Sequence, residues 1–124
     1  MPKFIVQEHA SRNPHWDFRI EKGEVVKTWV VTKGIPLEEK IKRLGIMTED
    51  EKIPTNIEET PPDSEFGSGE VKTWDTGTYE IQDELEQGKQ KKKVLKIVMK
   101  GKKVKGLYTL VEFIPPRRYI ILKG

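Results

Sequence analysis

Apolar and polar residues alternate along much of this chain. From His15 to Ile20 the order is His, Trp, Asp, Phe, Arg, Ile, the period of two that gives a strand two unlike faces. Trp16, Phe18 and Ile20 form one row, and His15, Asp17 and Arg19 form the other. Lys22-Gly23 reads as a tight turn, with residues 24–31 (EVVKTWVV) as the returning arm of a hairpin. Upstream, residues 4–6 begin an extended segment and Asn13-Pro14 marks a turn. Lys33-Gly34-Ile35-Pro36 breaks the second arm. Residues 37–44 have room for one short helical turn, and residues 43–48 read as a further strand.

The second half reads as β throughout. Residues 70–74 and 78–82 flank Asp75-Thr76-Gly77, a hairpin signal. Residues 93–99 and 104–113 flank Lys100-Gly101-Lys102-Lys103, a second one. Residues 83–90 fit a helix or a polar loop. Residues 117–122 extend or close the sheet after Pro115-Pro116. Residues 53–68 hold Pro54, Pro61, Pro62, Gly67 and many acids, and are expected to form a long ordered loop of the kind that carries function. Many short strands at regular spacing predict a mainly β fold, a small closed or nearly closed barrel or a sandwich, with one or two short helical turns. The length of 124 residues fits one domain, residues 1–124.

Composition narrows the chemistry. With no cysteine, disulfides and thiolate metal sites are excluded, so any metal must use imidazole and oxygen ligands. No apolar run approaches the ~20 residues of a membrane span, and the first residues lack the apolar core of a signal peptide. A monomeric intracellular (cytoplasmic) protein is expected. The net charge of +3 is mild but unevenly spread. Residues 89–105 hold Lys89, Lys91, Lys92, Lys93, Lys96, Lys100, Lys102, Lys103 and Lys105 with no acid. Such a stripe suits a nucleic-acid backbone; it equally suits a solvated hairpin whose lysines guard a sheet edge.

The candidate chemistry lies in QEHASRNPHWDFR, residues 7–19, which contain both histidines of the chain. Strand neighbours two apart share a face at roughly 6.5 Å, so imidazole, carboxylate and guanidinium line up as His15, Asp17 and Arg19. His9 reaches the same place if the chain doubles back at Asn13-Pro14. Two imidazoles and a carboxylate suit Mn²⁺, Zn²⁺, Fe²⁺ or Co²⁺. Such an ion polarises phosphoryl oxygens and activates water, and Arg19 can hold phosphate bidentately. Two surface histidines on a charged strand would give the same spacing. Lys33 before Gly34, and Arg43, are further phosphate candidates or ordinary surface cations. Trp29 and Trp74 stack on bases or sit in the barrel wall.

Five stretches together resemble the 3′-phosphoesterase domain of bacterial DNA ligase D and its stand-alone archaeal relatives. They are FIVQEHASRNPHWDFRIE, VVKTWVVTKGIP, KRLGIMTED, EFGSGEVKTWDTGTYE and VMKGKKVKGLYTLVEF, in family order over residues 4–113. The resemblance implies a small β-barrel with a crescent-shaped groove. It implies a manganese-dependent enzyme that removes a terminal 3′ ribonucleotide from a primer strand, then the 3′-phosphate left behind. It further implies metal ligation by His9, His15 and Asp17, and phosphate binding by Arg19, Lys33 and Arg43. The implied partners are primer–template 3′ ends and a DNA ligase. One departure stands out. Where the family carries a catalytic histidine after KRL, this chain has Glu51, and the family's following tyrosine is also missing, with Thr55 nearby. An ionised Glu51 repels a phosphate dianion by ~1 kcal/mol or more; a protonated one can serve as a general acid. The resemblance therefore leaves two expectations, an active end-processing enzyme or a degenerate relative that binds ends or a ligase without turnover.

Overall fold

The computed structural model describes residues 2–10, 12–48, 50–52 and 70–124, with the backbone alone for Glu51, Lys52, Glu70 and Val71. Nine strands follow one another: β1 Lys3–Ala10, β2 His15–Lys22, β3 Val25–Val31, β4 Lys42–Met47, β5 Glu51–Lys52, β6 Glu70–Gln87, β7 Lys92–Lys100, β8 Lys105–Ile114 and β9 Arg118–Lys123. The sheet runs β2-β1-β6-β7-β8-β9-β4-β3-β5, and an additional β2–β3 pairing closes it. Eight antiparallel strands thus form a barrel, with β5 a two-residue ribbon on β3. Closure leaves few open edges.

Alternation builds the interior. Phe4 and Val6 from β1, Phe18 and Ile20 from β2, Trp29 and Val31 from β3, and Tyr79, Leu95, Ile97, Met99, Tyr108, Leu110, Tyr119 and Ile121 from the far wall form one cluster. Phe18 packs on Phe4 at 6.4 Å and on Trp29 at 5.8 Å between ring centroids, and Trp29 meets Tyr119 edge-on at 5.6 Å. Each such side chain contributes about 1.5–3 kcal/mol of burial.

Three expectations need correction. Among the described residues there is no helix, and so none long and apolar enough to cross a membrane. Residues 37–41 form no helical turn: Lys40 sits at φ 72°, a left-handed conformation that ends a right-handed turn, and Glu39 bridges to Lys123 instead. Residues 83–87 are strand, because they pair with β7 from Gln87↔Lys92 to Asp83↔Lys96. Asp75-Thr76-Gly77 is not a turn but the middle of the 18-residue strand β6. Gly77 is there because the β7–β8 connection crosses it closely: a Cβ would stand 2.2 Å from the Lys100 carbonyl oxygen. The long loop expected over residues 53–68 lies outside the described residues. By contrast the hairpins around Lys22-Gly23 and Gly101 form as read, and β9 pairs with both β8 and β4, completing the barrel.

Candidate metal centre

The outward face of β2 is as buried as its inward face. His15 is 4%, Asp17 3% and Arg19 2% exposed. The chain does double back after β1, and the antiparallel register sets His9 opposite His15, Gln7 opposite Asp17 and Ile5 opposite Arg19. β1 and β2 are therefore the two arms of one hairpin. On the other flank, β3 sets Val30 opposite Asp17 and Thr28 opposite Arg19.

The donor atoms converge. His9 Nδ1 lies 3.2 Å from His15 Nε2, and His15 Nε2 lies 3.5 Å from Asp17 Oδ1. One donor atom from each of the three residues falls within 4.8 Å of the other two. His15 Nδ1 is 3.1 Å from the Asn13 carbonyl oxygen. A carbonyl only accepts, so Nδ1 carries the proton, and in the neutral ring Nε2 turns its lone pair toward His9 and Asp17. Lone pairs and a carboxylate facing one point repel unless a cation or a proton lies between them. Two nitrogens bound to one ion at about 2.0–2.1 Å stand roughly 2.8–3.4 Å apart across octahedral and tetrahedral arrangements. The 3.2 Å between the imidazoles falls in that range, and an N₂O donor set suits a first-row divalent metal. The residues fit the group.

Gln7 is a site residue that the motif reading passed over. It is 5% exposed, and among the described residues its Oε1 has no hydrogen-bond partner. The signal was available: Gln7 precedes His9 by two in a strand, so it shares the face. Thr28 Oγ1, beside Arg19, is likewise buried without a partner among the described residues.

The other candidates stand further off. Lys33 is exposed, two residues beyond Val31. Its loop is tied down where the Tyr108 hydroxyl donates to the Pro36 carbonyl at 2.7 Å, and where Gly34 lies under the Trp16 ring. Arg43 is on β4, two residues before Gly45, which pairs with Val31. The register gives Arg43 the face of Gly45 and Met47, not the face that Ile46 shares with Val30 and Asp17. Both cations are at the barrel end that holds His15, and neither bonds to the three donors. Glu51 pairs with Val26, two residues along β3 from Thr28; its side chain lies outside the described residues. Trp29 is core, 2% exposed, whereas Trp74 is half-buried. A cavity of about 350 Å³, lined by Trp29, Met47, Leu95, Tyr119 and Lys22, opens at the other end of the barrel, because β2 runs the barrel's length from His15 to Lys22.

Residues 7–112 match the family model described as the DNA ligase D 3′-phosphoesterase domain. The chain is 40% identical over 80 residues to the multifunctional non-homologous end joining DNA repair protein LigD of Mycobacterium tuberculosis, covering 64% of this chain and 10% of that protein. It is 32% identical over 116 residues to LigD of Mycolicibacterium smegmatis, covering 89% of this chain and 15% of the relative. It is also 32% identical over 110 residues to LigD of Pseudomonas aeruginosa, covering 88% and 13% respectively. The chain thus spans between a tenth and a sixth of the curated relatives it matches.

Proposed function

This chain belongs to the DNA ligase D 3′-phosphoesterase family, and from that premise we propose that it is a metal-dependent phosphoesterase that processes nucleic-acid 3′ ends in DNA repair. The observation that carries the reading is the buried convergence of His9, His15 and Asp17. A divalent ion held there, Mn²⁺ in first place with Zn²⁺ or Co²⁺ as substitutes, would polarise a phosphoryl oxygen and lower the pKa of a bound water.

The chain's own residues do the rest. The Asn13 carbonyl fixes the tautomer of His15. Arg19 shares the face at roughly 6.5 Å from Asp17 and offers a planar fork to phosphate oxygens. Gln7, opposite Asp17, supplies an amide to orient a water or a phosphate oxygen. Lys33 and Arg43 add positive charge at the same barrel end and draw the strand in. Glu51 stands where the family carries a histidine. Ionised, it disfavours a terminal phosphate dianion while leaving a diester, with one charge, acceptable. Removal of a 3′ ribonucleotide is therefore the favoured activity, and 3′-phosphate removal the weaker one. Diester cleavage at the ribonucleotide leaves a 3′-phosphate on the primer, and only the weaker second step yields the 3′-OH that a DNA ligase or polymerase consumes; a ligase is the proposed partner, acting with a monomer inside the cell.

Glu51 is also the observation that favours a second reading, a relative that binds ends without turnover. One experiment tests both. A 5′-labelled primer–template ending in one 3′ ribonucleotide or a 3′-phosphate is incubated with and without Mn²⁺. The proposal expects Mn²⁺-dependent loss of the ribonucleotide with slow or absent loss of the phosphate, and faster phosphate loss in Glu51→His. Binding of both ends with neither processed would overturn the enzyme reading in favour of the second.

A further inference from the structure

Two groups within the lysine run of residues 89–105 differ in what they face. Along β7, Lys93, Lys96 and Lys100 face acids on β6, whereas Lys92 pairs across from Gln87. Lys100 Nζ is 2.9 Å from Glu80 Oε1, Lys96 pairs across from Asp83, and Lys93 across from Glu86. These lysines belong to a cross-strand charge ladder. At the β7–β8 tip the situation reverses. Lys102, Lys103 and Lys105 are exposed and have no carboxylate partner among the described residues.

The tip is also built rigidly. The Asp75 carboxylate, 4% exposed, accepts from the backbone N–H groups of Lys102 at 3.0 Å, Lys103 at 2.9 Å and Val104 at 2.8 Å, and from Thr76 at 2.9 Å. The Gly101 N–H donates to the Val104 carbonyl at 2.9 Å. No other residue fits at Gly101, where a Cβ would stand 2.5 Å from Asp75 Oδ2 and 2.6 Å from Phe4. Above this turn, Lys103 Nζ lies 4.6 Å from the centre of the Trp74 ring, within the range of a cation–π contact.

Trp74 is the extra residue of a bulge. β1 and β6 shift register between Val6↔Asp75 and Gln7↔Thr73, and bulges re-aim side chains beside functional sites. Thr73 is opposite Gln7, which is opposite Asp17. At about 4.8 Å per strand, this neighbourhood is roughly 10 Å from the metal donors, a distance over which a duplex strand rises about three nucleotides.

We propose that Lys103, held by the Trp74 ring on the Asp75-clamped turn, contacts a backbone phosphate of the substrate duplex a few nucleotides from the 3′ end. Lys103 binds, and Trp74 and Asp75 position it. The inference rests on the 3′-end reading above. Lys93, Lys96 and Lys100 of β7 serve the sheet.

Fluorescence anisotropy with a labelled primer–template, without Mn²⁺ so that nothing turns over, measures affinity against salt. Lys103→Ala is expected to weaken binding about five- to tenfold near 0.1 M salt and to reduce the log–log salt slope by ~0.9. Lys100→Ala is expected to change it less than twofold. Trp74→Leu should mimic Lys103→Ala, add nothing to it in the double variant, and be rescued by Trp74→Phe. Lys103→Ala is an exposed change away from the core, and its melting temperature reports that it folds. Wild-type affinity in Lys103→Ala, equal losses for Lys100 and Lys103, or additive losses for Lys103 and Trp74 would each overturn the proposal and leave the 3′-end reading standing. A wild-type protein that binds no primer–template would overturn both.

Discussion

On one face of β2, Phe18 and Ile20 are closed in by Phe4, Trp29 and the far wall of the barrel. On the other, His15, Asp17 and Arg19 are no more exposed, yet their neighbours across β1 are His9, Gln7 and Ile5. Equal burial has opposite energetic meaning on the two sides. The apolar row gains free energy from leaving water. The polar row loses hydration, and Gln7 Oε1 and Thr28 Oγ1 recover no hydrogen bond for it among the described residues. A strand that holds three ionisable side chains in this way is stabilised by its other face, and the proposed function gives the polar face its use, an ion and a substrate.

The sharpest way to separate the faces is to delete from each. Asp17→Ala and His15→Ala are expected to lower Mn²⁺-dependent turnover by about three orders of magnitude or more, the scale of several kcal/mol of lost charge stabilisation. Their melting temperatures without metal should match or exceed that of the wild type, because a buried polar cluster is relieved. A clear drop in melting temperature would mean that the row is structural. Phe18→Ala inverts the result, costing about 3–5 kcal/mol of stability in denaturant titration. A loss under 1 kcal/mol would show that β2 is not held by its inward face.

Metal itself supplies the next test. Mn²⁺ at a hundred times its dissociation constant should stabilise the wild type by about 2.7 kcal/mol, read as a rise in melting temperature, and should leave Asp17→Ala unmoved. An equal rise in both would relocate the ion. Gln7→Leu is gentler. Removing an unpartnered acceptor should hold or raise stability while lowering turnover about ten- to a hundredfold, as expected of a group that orients a bound ligand. Unchanged turnover would return Gln7 to a packing role.

How much of this was legible without coordinates depended on range. The two faces of β2 followed from alternation alone, and Asn13-Pro14 was enough to bring His9 back toward His15. The charge of residues 89–105 was visible, but its division was not, because Glu80 and Asp83 neutralise lysines only through the β6–β7 register. Asp75-Thr76-Gly77 misled for a related reason. Locally it has turn chemistry. Its carboxylate instead serves backbone groups 27 to 29 residues away, and its glycine makes room for another strand connection. Lys40, in the left-handed region, carries no sequence signal against a helix. Gln7 was missed because an amide announces no chemistry until its neighbours are known.

The smallest effect is silent at neutral pH and appears only under alkaline conditions, where it tests the inward face alone. Tyr79, Tyr108 and Tyr119 turn their rings into the core. The Tyr79 hydroxyl donates to the Glu21 carbonyl and that of Tyr108 to the Pro36 carbonyl. Burial first, then nearby carboxylates (Glu21 and Glu84 for Tyr79, Asp75 for Tyr108, Glu112 and Asp50 for Tyr119), pushes each phenol up to about 12. In the unfolded chain the same groups ionise near 10. Between these values the unfolded state sheds protons that the native state keeps. Stability from the three is therefore fully present below about pH 10 and falls as pH rises toward 12. Melting temperature recorded from pH 8 to 12 should bend downward above 10, with tyrosinate absorbance rising only as the protein unfolds. Tyr108→Phe should soften the bend, since one of the three protons no longer takes part. Tyrosinate absorbance climbing at pH 10 in protein that is still folded would show that water reaches these hydroxyls, and that the inward face is less closed than the face that carries His15 and Asp17.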